Sequence, residues 1–113
     1  MRALAFALLC GWAAFAGPAQ AQKIYEGSEA AALRCANTLA LTAVALARAE
    51  LIPQNEKEVM LGITILMLER HVSGTRSQKK RALELMRDRR SVDDTIADYR
   101  RNATQCLRQF PIN

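Results

Sequence analysis

Apolar residues recur at spacings of three and four along most of this chain, which is the period of an α-helix. The longest such stretch covers residues 29–51 and is rich in Ala and Leu. One face of it carries Leu33, Ala36, Leu39, Ala40, Ala43 and Leu46. Leu41 and Val44 make the opposite face apolar as well, so we expect other helices to surround the middle of this helix. Ser28 is the predicted N-cap, and Pro53 is expected to end the helix because it disfavours helical geometry in the residue before it.

A second helix is predicted through the apolar run 59–68. Asn55 precedes the run, and Glu58 follows Asn55 by three residues, which is the spacing of a capping box with Asn as the cap. The run holds enough β-branched residues to resemble a buried strand, but the capping pattern and the length favour a helix. Gly62 within the run predicts a close approach of two helices.

Two further helices follow separate turn signals. Gly74 can adopt the positive φ that ends a helix, and the residues after it predict a third helix over 76–90. Ser91, with Asp94 three residues later, predicts the N-cap of a fourth helix. Pro111 is expected to close the structure just after that helix.

Four helices joined by short turns predict an all-α fold, a small antiparallel up-down four-helix bundle that forms a single domain over 28–113. Cys35 lies in the second turn of the first helix and Cys106 lies near the end of the fourth. This bundle brings those two helix ends together. Loss of Cys10 with a cleaved signal peptide would leave Cys35 and Cys106 as an even pair in an exported chain, so we predict a Cys35–Cys106 disulfide. This bond agrees with the bundle topology, although two crossed α-hairpins would also permit it.

The first 21 residues are predicted to be a cleaved secretory signal peptide. Arg2 precedes an apolar run over 3–16, and Ala19 and Ala21 supply the small residues of a signal peptidase site. The run of about 14 residues is shorter than the roughly 20 that a membrane-spanning helix needs. We expect cleavage near Ala21, a flexible lead-in over 22–27, and a periplasmic or secreted location. Such a location is oxidising, which favours the disulfide.

The composition argues against an enzyme. The chain has 113 residues with one His and three Cys, which limits it to one small domain with little material for metal or nucleophile chemistry. His71 stands at the end of the second helix, where a role in complementing the helix dipole is commoner than catalysis. Met60, Met67 and Met86 are typical of gap-filling core residues rather than haem ligands. We predict no catalytic residues, no metal and no cofactor.

Charge is the sharpest functional feature of the chain. It carries 16 Lys and Arg against 11 Asp and Glu, a net charge of +5, and residues 76–90 hold seven of the basic residues against two acidic ones. One third of the circumference of the predicted third helix carries the candidate partner-binding residues Arg76, Lys79, Lys80, Leu83, Arg87 and Arg90. A basic face around one exposed Leu is typical of a docking surface, and a merely solvated face is the alternative.

These features predict an exported, non-enzymatic helical interaction protein, such as an adaptor, inhibitor or accessory subunit, that binds an acidic protein partner through its third helix. Nucleic acid is not an expected partner, because the compartment is wrong and few aromatic residues are present to stack on bases. Anionic lipid or an acidic envelope polymer is an alternative partner, which would make the chain a membrane-surface protein.

A small periplasmic chaperone or stress protein is the other alternative function. The gross organisation is similar to that of the small acid-stress chaperones of the bacterial periplasm, which are short, helical and carry one disulfide. This similarity is one of architecture, since no motif is shared. In that case the apolar surround of the first helix would be the client-binding surface.

Overall fold

The computed structural model describes residues 23–113, and this part of the chain is all-helical with no strand. Its elements are α1 (Gly27–Arg48), α2 (Gln54–His71), α3 (Arg76–Asp88) and α4 (Val92–Gln109). The predicted all-α class and the four predicted helices are confirmed. The predicted signal peptide, residues 1–21, lies outside the described residues.

Helix α1 is the central element, because α2, α3 and α4 each pack against it. Ala32, Ala36 and Ala43 on its core face have no exposed surface at all. Small side chains at these positions let the neighbouring helices approach the backbone of α1 closely. Leu41 and Val44, on the face that the sequence also predicts to be covered, are only half-buried.

By length and composition, α1 is also the one helix among residues 23–113 that would suffice to cross a membrane. A core helix of a soluble protein or a signal sequence passes the same test, which makes it weak evidence for a span. We describe α1 as a core helix because its alanine face is buried against the other three helices.

Two apolar clusters make up the core. The first joins α1 to α2 and to the residue after α4, through Ala32, Leu33, Ala36, Met67, Val72 and Phe110. Three residues of α3, Ala82, Leu83 and Met86, pack against this first cluster. The second cluster consists of Leu39, Ala43 and Met60, with Tyr99 of α4 against it and no residue of α3. Helix α3 therefore covers only one of the two clusters.

The predicted disulfide between Cys35 and Cys106 is present, with the two Cα atoms 5.7 Å apart. It ties the third turn of α1 to the last turn of α4. Both cysteines are half-buried, and Cys35 packs against the first apolar cluster. The bond therefore holds α4 against the core at the end where Phe110 enters it.

The predicted cap of α1 is wrong. Helix α1 begins at Gly27, so Ser28 is inside the helix, and Glu26 stands at the N-cap without a side-chain capping hydrogen bond. The φ of Gly27 is +56°, a value that glycine adopts at little cost and Ser does not. The chain therefore turns into the helix one residue before the hydroxyl that the sequence favoured.

Helix α1 also ends earlier than the predicted boundary of residue 51. The Glu50 N–H donates to Ala47 O at 3.0 Å, and the Leu51 N–H donates to Leu46 O at 2.8 Å. These two bonds form a Schellman motif, in which the residue after the C-cap is left-handed. That residue is Glu50, with a φ of +58°. This motif, and not Pro53 as predicted, therefore ends α1.

The predicted cap of α2 is wrong as well. The N-cap is Pro53, and α2 begins at Gln54, which places Asn55 inside the first turn. The Pro53 carbonyl accepts hydrogen bonds from Glu56 N–H at 3.1 Å and from Lys57 N–H at 3.2 Å. Proline is well suited to a helix start, because its φ is already near the helical value.

The remaining helix starts are capped by hydroxyl groups. Ser91 accepts a hydrogen bond from Asp94 N–H, which confirms the predicted cap of α4. Thr75 and Gln78 form a full capping box at the start of α3, a pair that the sequence analysis missed. Helix α3 begins at the predicted residue and ends at Asp88, two residues before the predicted end.

The predicted helix contact at Gly62 is wrong, because a Cβ built there would have no atom within 4 Å.

Gly62→Ala should raise the free energy of unfolding by up to about 1 kcal/mol, since Ala is the better helix former and its methyl meets open space. Gly74→Ala should lower it, because φ there is +100° and a Cβ would lie 2.7 Å from Tyr25 Oη and from Gln78 Oε1. Urea unfolding measures both changes, and effects of the same sign would contradict this account.

Removing the disulfide with Cys35→Ser and Cys106→Ser should destabilise the domain. The bond spans a sequence separation of 71 residues. For such a loop the chain-entropy model gives an upper value of about 4 kcal/mol. Urea unfolding of the double variant measures the loss, and reduced wild-type protein is the matched control. Equal unfolding midpoints for oxidised and cysteine-free protein would show that the bond is not a staple.

Candidate functional site

Helices α2 and α3 flank an open groove of about 470 Å³. We call it the α2–α3 groove and define it by its two walls. The α2 wall consists of Leu61, Thr64, Ile65, Leu68 and Glu69. The α3 wall consists of Arg76, Lys79, Lys80 and Leu83. A volume in this range is typical of sites that hold ligands or partner side chains.

The α2 wall is mostly apolar. Leu61, Ile65 and Leu68 follow one another at spacings of four and three residues, so they form a stripe along one side of the helix. Ile65 is 54% exposed, which is unusual for a residue in the middle of an apolar helix. The Thr64 hydroxyl donates to Met60 O at 3.0 Å, so its proton is already used inside α2. We call these three residues, Leu61, Ile65 and Leu68, the apolar floor of the groove.

The α3 wall carries the charge. Arg76 and Lys80 are exposed, stand one helical turn apart, and have no ion pair among the described residues. Leu83 is half-buried, since it reaches back to the first apolar cluster. The two cations therefore stand above the apolar floor with their charges available to an incoming group.

Lys79 has a different role from its two basic neighbours. Its Nζ donates a hydrogen bond to the backbone oxygen of Leu68 at 3.1 Å, and its side chain is half-buried. Leu68 lies in the last turn of α2, where carbonyl groups attract cations through the helix dipole. Lys79 is therefore a positioning residue that ties α3 to the end of α2, and it also adds positive charge at the groove.

The other two candidate partner-binding residues lie outside the groove. Arg87 Nε is 3.4 Å from Asp88 Oδ1, and Arg90 is 2.5 Å from Asp98 Oδ2. Arg101 approaches the same Asp98 carboxylate at 3.6 Å. The six predicted residues thus divide into four that line the groove and two that stand beside carboxylates.

The turn before α3 is held by residues from the start of the chain. Tyr25 Oη donates to Ser73 O at 2.8 Å, and the Ser73 N–H donates to the Glu29 carboxylate at 2.5 Å. The hydrogen bonds from Ser73 hold the pKa of Glu29 below its usual value, with a smaller contribution from Lys23 and Lys79. Burial, and then the nearby Glu29 charge, raise the pKa of Tyr25. These contacts position the N-terminus of α3 and hence the α3 wall.

Sequence reasoning missed the α2 wall and these turn contacts. It assigned the run 59–68 to a helix without predicting which of its apolar residues stay exposed, although a helix that is apolar all round and packs on one side leaves apolar residues exposed. That property was the available signal for Leu61 and Ile65. No local signal links Ser73 to Tyr25 or Glu29, because the contacts join residues 48 and 44 positions apart.

His71 has a structural role in this arrangement. Its Nε2 lies 2.7 Å from Pro111 O, and a carbonyl can only accept, so the ring N–H donates. The ring also meets Phe110 edge-on, with centroids 5.4 Å apart. These contacts attach the C-terminal residues to the end of α2. Within residues 23–113, no group of three or more His, Cys, Asp or Glu side chains is placed to hold a metal ion.

Comparison with known proteins identifies no relative, since the chain matches no protein-family model, no curated protein and no solved structure at a significant level.

The depressed pKa of Glu29 makes the fold sensitive to acid. A carboxyl whose pKa is lower in the folded than in the unfolded state stabilises the fold above its unfolded value, and this contribution is lost as the pH falls through the folded value. Glu29→Gln should therefore be less stable at neutral pH and should lose less stability between about pH 5 and pH 3. Urea unfolding across that range measures the difference. Glu26→Gln is the control, and a Glu29→Gln acid profile that matches wild type would contradict the assignment.

Proposed function

We propose that this chain is an exported, non-enzymatic interaction protein that binds an acidic protein partner in the α2–α3 groove. One observation carries the proposal, which is the combination of an apolar stripe on α2, half-buried at Leu61 and Leu68 and exposed at Ile65, with the available cations Arg76 and Lys80 on α3. Apolar contact supplies most of the affinity in such an interface, while opposite charges select the partner and speed its approach.

The overall charge supports the same kind of partner. The full chain has a net charge of +5, and removal of Arg2 with the signal peptide leaves 15 basic against 11 acidic side chains, a net charge of +4. This charge attracts acidic molecules from a distance, and the attraction weakens as salt is added. The groove concentrates this attraction, because Arg76, Lys79 and Lys80 all belong to one wall. Glu69 is the one carboxylate among the residues that line it.

Export is supported by two features of the chain. The first 21 residues have the charged start, apolar run and small-residue site of a signal peptide. The Cys35–Cys106 bond is typical of proteins that fold in an oxidising compartment such as the periplasm. The mature protein in this proposal is a stapled helical domain that lacks an enzymatic site.

We further propose the antiparallel up-down arrangement for this domain. Two contacts between α1 and α4 support it, since Cys35 bonds to Cys106 whereas the later residues Leu39 and Ala43 belong to the cluster against which Tyr99 packs. Advancing along α1 therefore corresponds to moving back along α4. The residues that line the groove belong to α2 and α3 alone.

The proposal is tested by reversing the two available cations with Arg76→Glu and Lys80→Glu. The matched control is Arg100→Glu with Arg108→Glu, two exposed residues of α4 that change the net charge equally. Mature, oxidised forms of all three proteins are used to retain partners from envelope extract. A retained acidic protein is then purified, and its Kd is measured with each form at low and high salt.

We expect the groove variant to bind that partner at least about tenfold more weakly than wild type, with the control close to wild type. Circular dichroism should show the same helical content in all three proteins. Equal weakening in both variants would mean that only net charge matters, and it would contradict a groove site. Binding to anionic vesicles with no protein partner would instead favour the membrane-surface alternative.

A further inference from the structure

We infer that the segment seated in the α2–α3 groove is an amphipathic α-helix of the partner, with an apolar stripe against α2 and acidic residues one turn apart against α3. This inference rests on the proposed function and adds the shape and charge pattern of the partner. It follows from the spacing of the groove residues along their two helices.

The apolar floor has the period of a helix. From Leu61 to Ile65 the rise along α2 is about 6 Å, and from Ile65 to Leu68 it is about 4.5 Å. A partner helix with apolar residues at spacings of four and three presents side chains at the same two intervals. An extended segment presents side chains on one face at equal intervals of about 6.6 Å. These intervals do not match the unequal spacing of Leu61, Ile65 and Leu68, so the third side chain is already displaced from its contact.

The cations of the α3 wall have a matching period. Arg76 and Lys80 are four residues apart, which separates them by about 6 Å along α3. Acidic residues at positions i and i+4 of a partner helix are separated by the same distance, so each can face one cation. Lys79 adds a third positive charge but holds its Nζ on Leu68 O, 3.1 Å away. We therefore assign recognition to Arg76 and Lys80.

Glu69 opposes an acidic partner. It lines the groove on the α2 wall, next in sequence to the last apolar residue of the floor. A carboxylate of the partner on that side would meet like charge, which is destabilising. The acidic flank of the partner helix is therefore directed to the α3 wall, and removal of the Glu69 charge should tighten binding.

The test uses a synthetic helix as the probe. A fluorescent peptide of about 18 residues with blocked ends carries Leu at spacings of four and three, with Glu at i and i+4 along one flank. One control peptide has the same composition in an order that breaks the stripe, and a second has Lys in place of every Glu. Anisotropy titrations with the mature, oxidised protein give the three Kd values.

We expect the designed peptide to bind at least ten times more tightly than the control peptide whose residue order breaks the stripe. The Lys peptide should show no binding. Ile65→Ser should weaken binding of the designed peptide about tenfold. Val59→Ser is the matched control, because Val59 is also on α2 and 61% exposed but does not line the groove. Glu69→Gln should tighten binding severalfold.

Three outcomes would overturn the inference. Equal binding of the two Glu peptides would exclude a helical stripe, and equal weakening by Ile65→Ser and Val59→Ser would exclude the groove. Binding of dodecanoate, a single-chain anionic amphiphile, without binding of the designed peptide would assign the groove to a small ligand.

The outcomes for this inference and for the proposed function are separable. An acidic envelope protein that depends on Arg76 and Lys80 while the designed peptide fails to bind would uphold the proposed function and reject the helical partner. Tight, stripe-dependent peptide binding without any envelope partner would uphold the fit of a helix to the groove and reject the proposed function.

Discussion

The structure depends on the burial of one small-residue face of α1. Ala32, Ala36 and Ala43 are fully enclosed, and each of the other three helices packs against this central helix. Burial of apolar surface is the dominant favourable contribution to folding, and small residues let several helices share the same core. Because α2, α3 and α4 each bury apolar surface against α1, these three helices make little contact with one another. The groove between α2 and α3 is a consequence of that arrangement.

The length of α3 determines how much of α2 is covered. Helix α3 has 13 residues, whereas α2 has 18, and α3 packs against the first apolar cluster alone. Ile65 of α2 therefore remains exposed although it belongs to an apolar run, while Leu61 is half-buried against the second cluster. The Lys79 contact to Leu68 O sets where α3 lies, and the ties from Tyr25 and Glu29 to Ser73 set where it begins. Helix α3 therefore carries both residues that hold it in place, such as Lys79, and residues that line the groove, such as Arg76 and Lys80.

Sequence reasoning located the starts of α3 and α4. Ser91 caps α4 because its hydroxyl reaches the Asp94 N–H, and the α3 start follows the left-handed Gly74. It misplaced the starts of α1 and α2 and the contact at Gly62. At the start of α2, the fixed φ of Pro53 prevailed over the capping ability of Asn55. A close helix contact would have explained Gly62, but a Cβ built there would meet open space. Packing therefore does not explain why this position is glycine.

By itself, the sequence determined the helical class, the four helices and the disulfide pair, because hydrophobic period, turn residues and capping act over about four residues and few cysteines were available to pair. Only the tertiary structure decided which apolar residues of α2 stay exposed, and which cations of residues 76–90 face a groove and which face Asp88 or Asp98. These outcomes depend on where one helix ends relative to another, and that position is set by contacts between residues far apart in the chain.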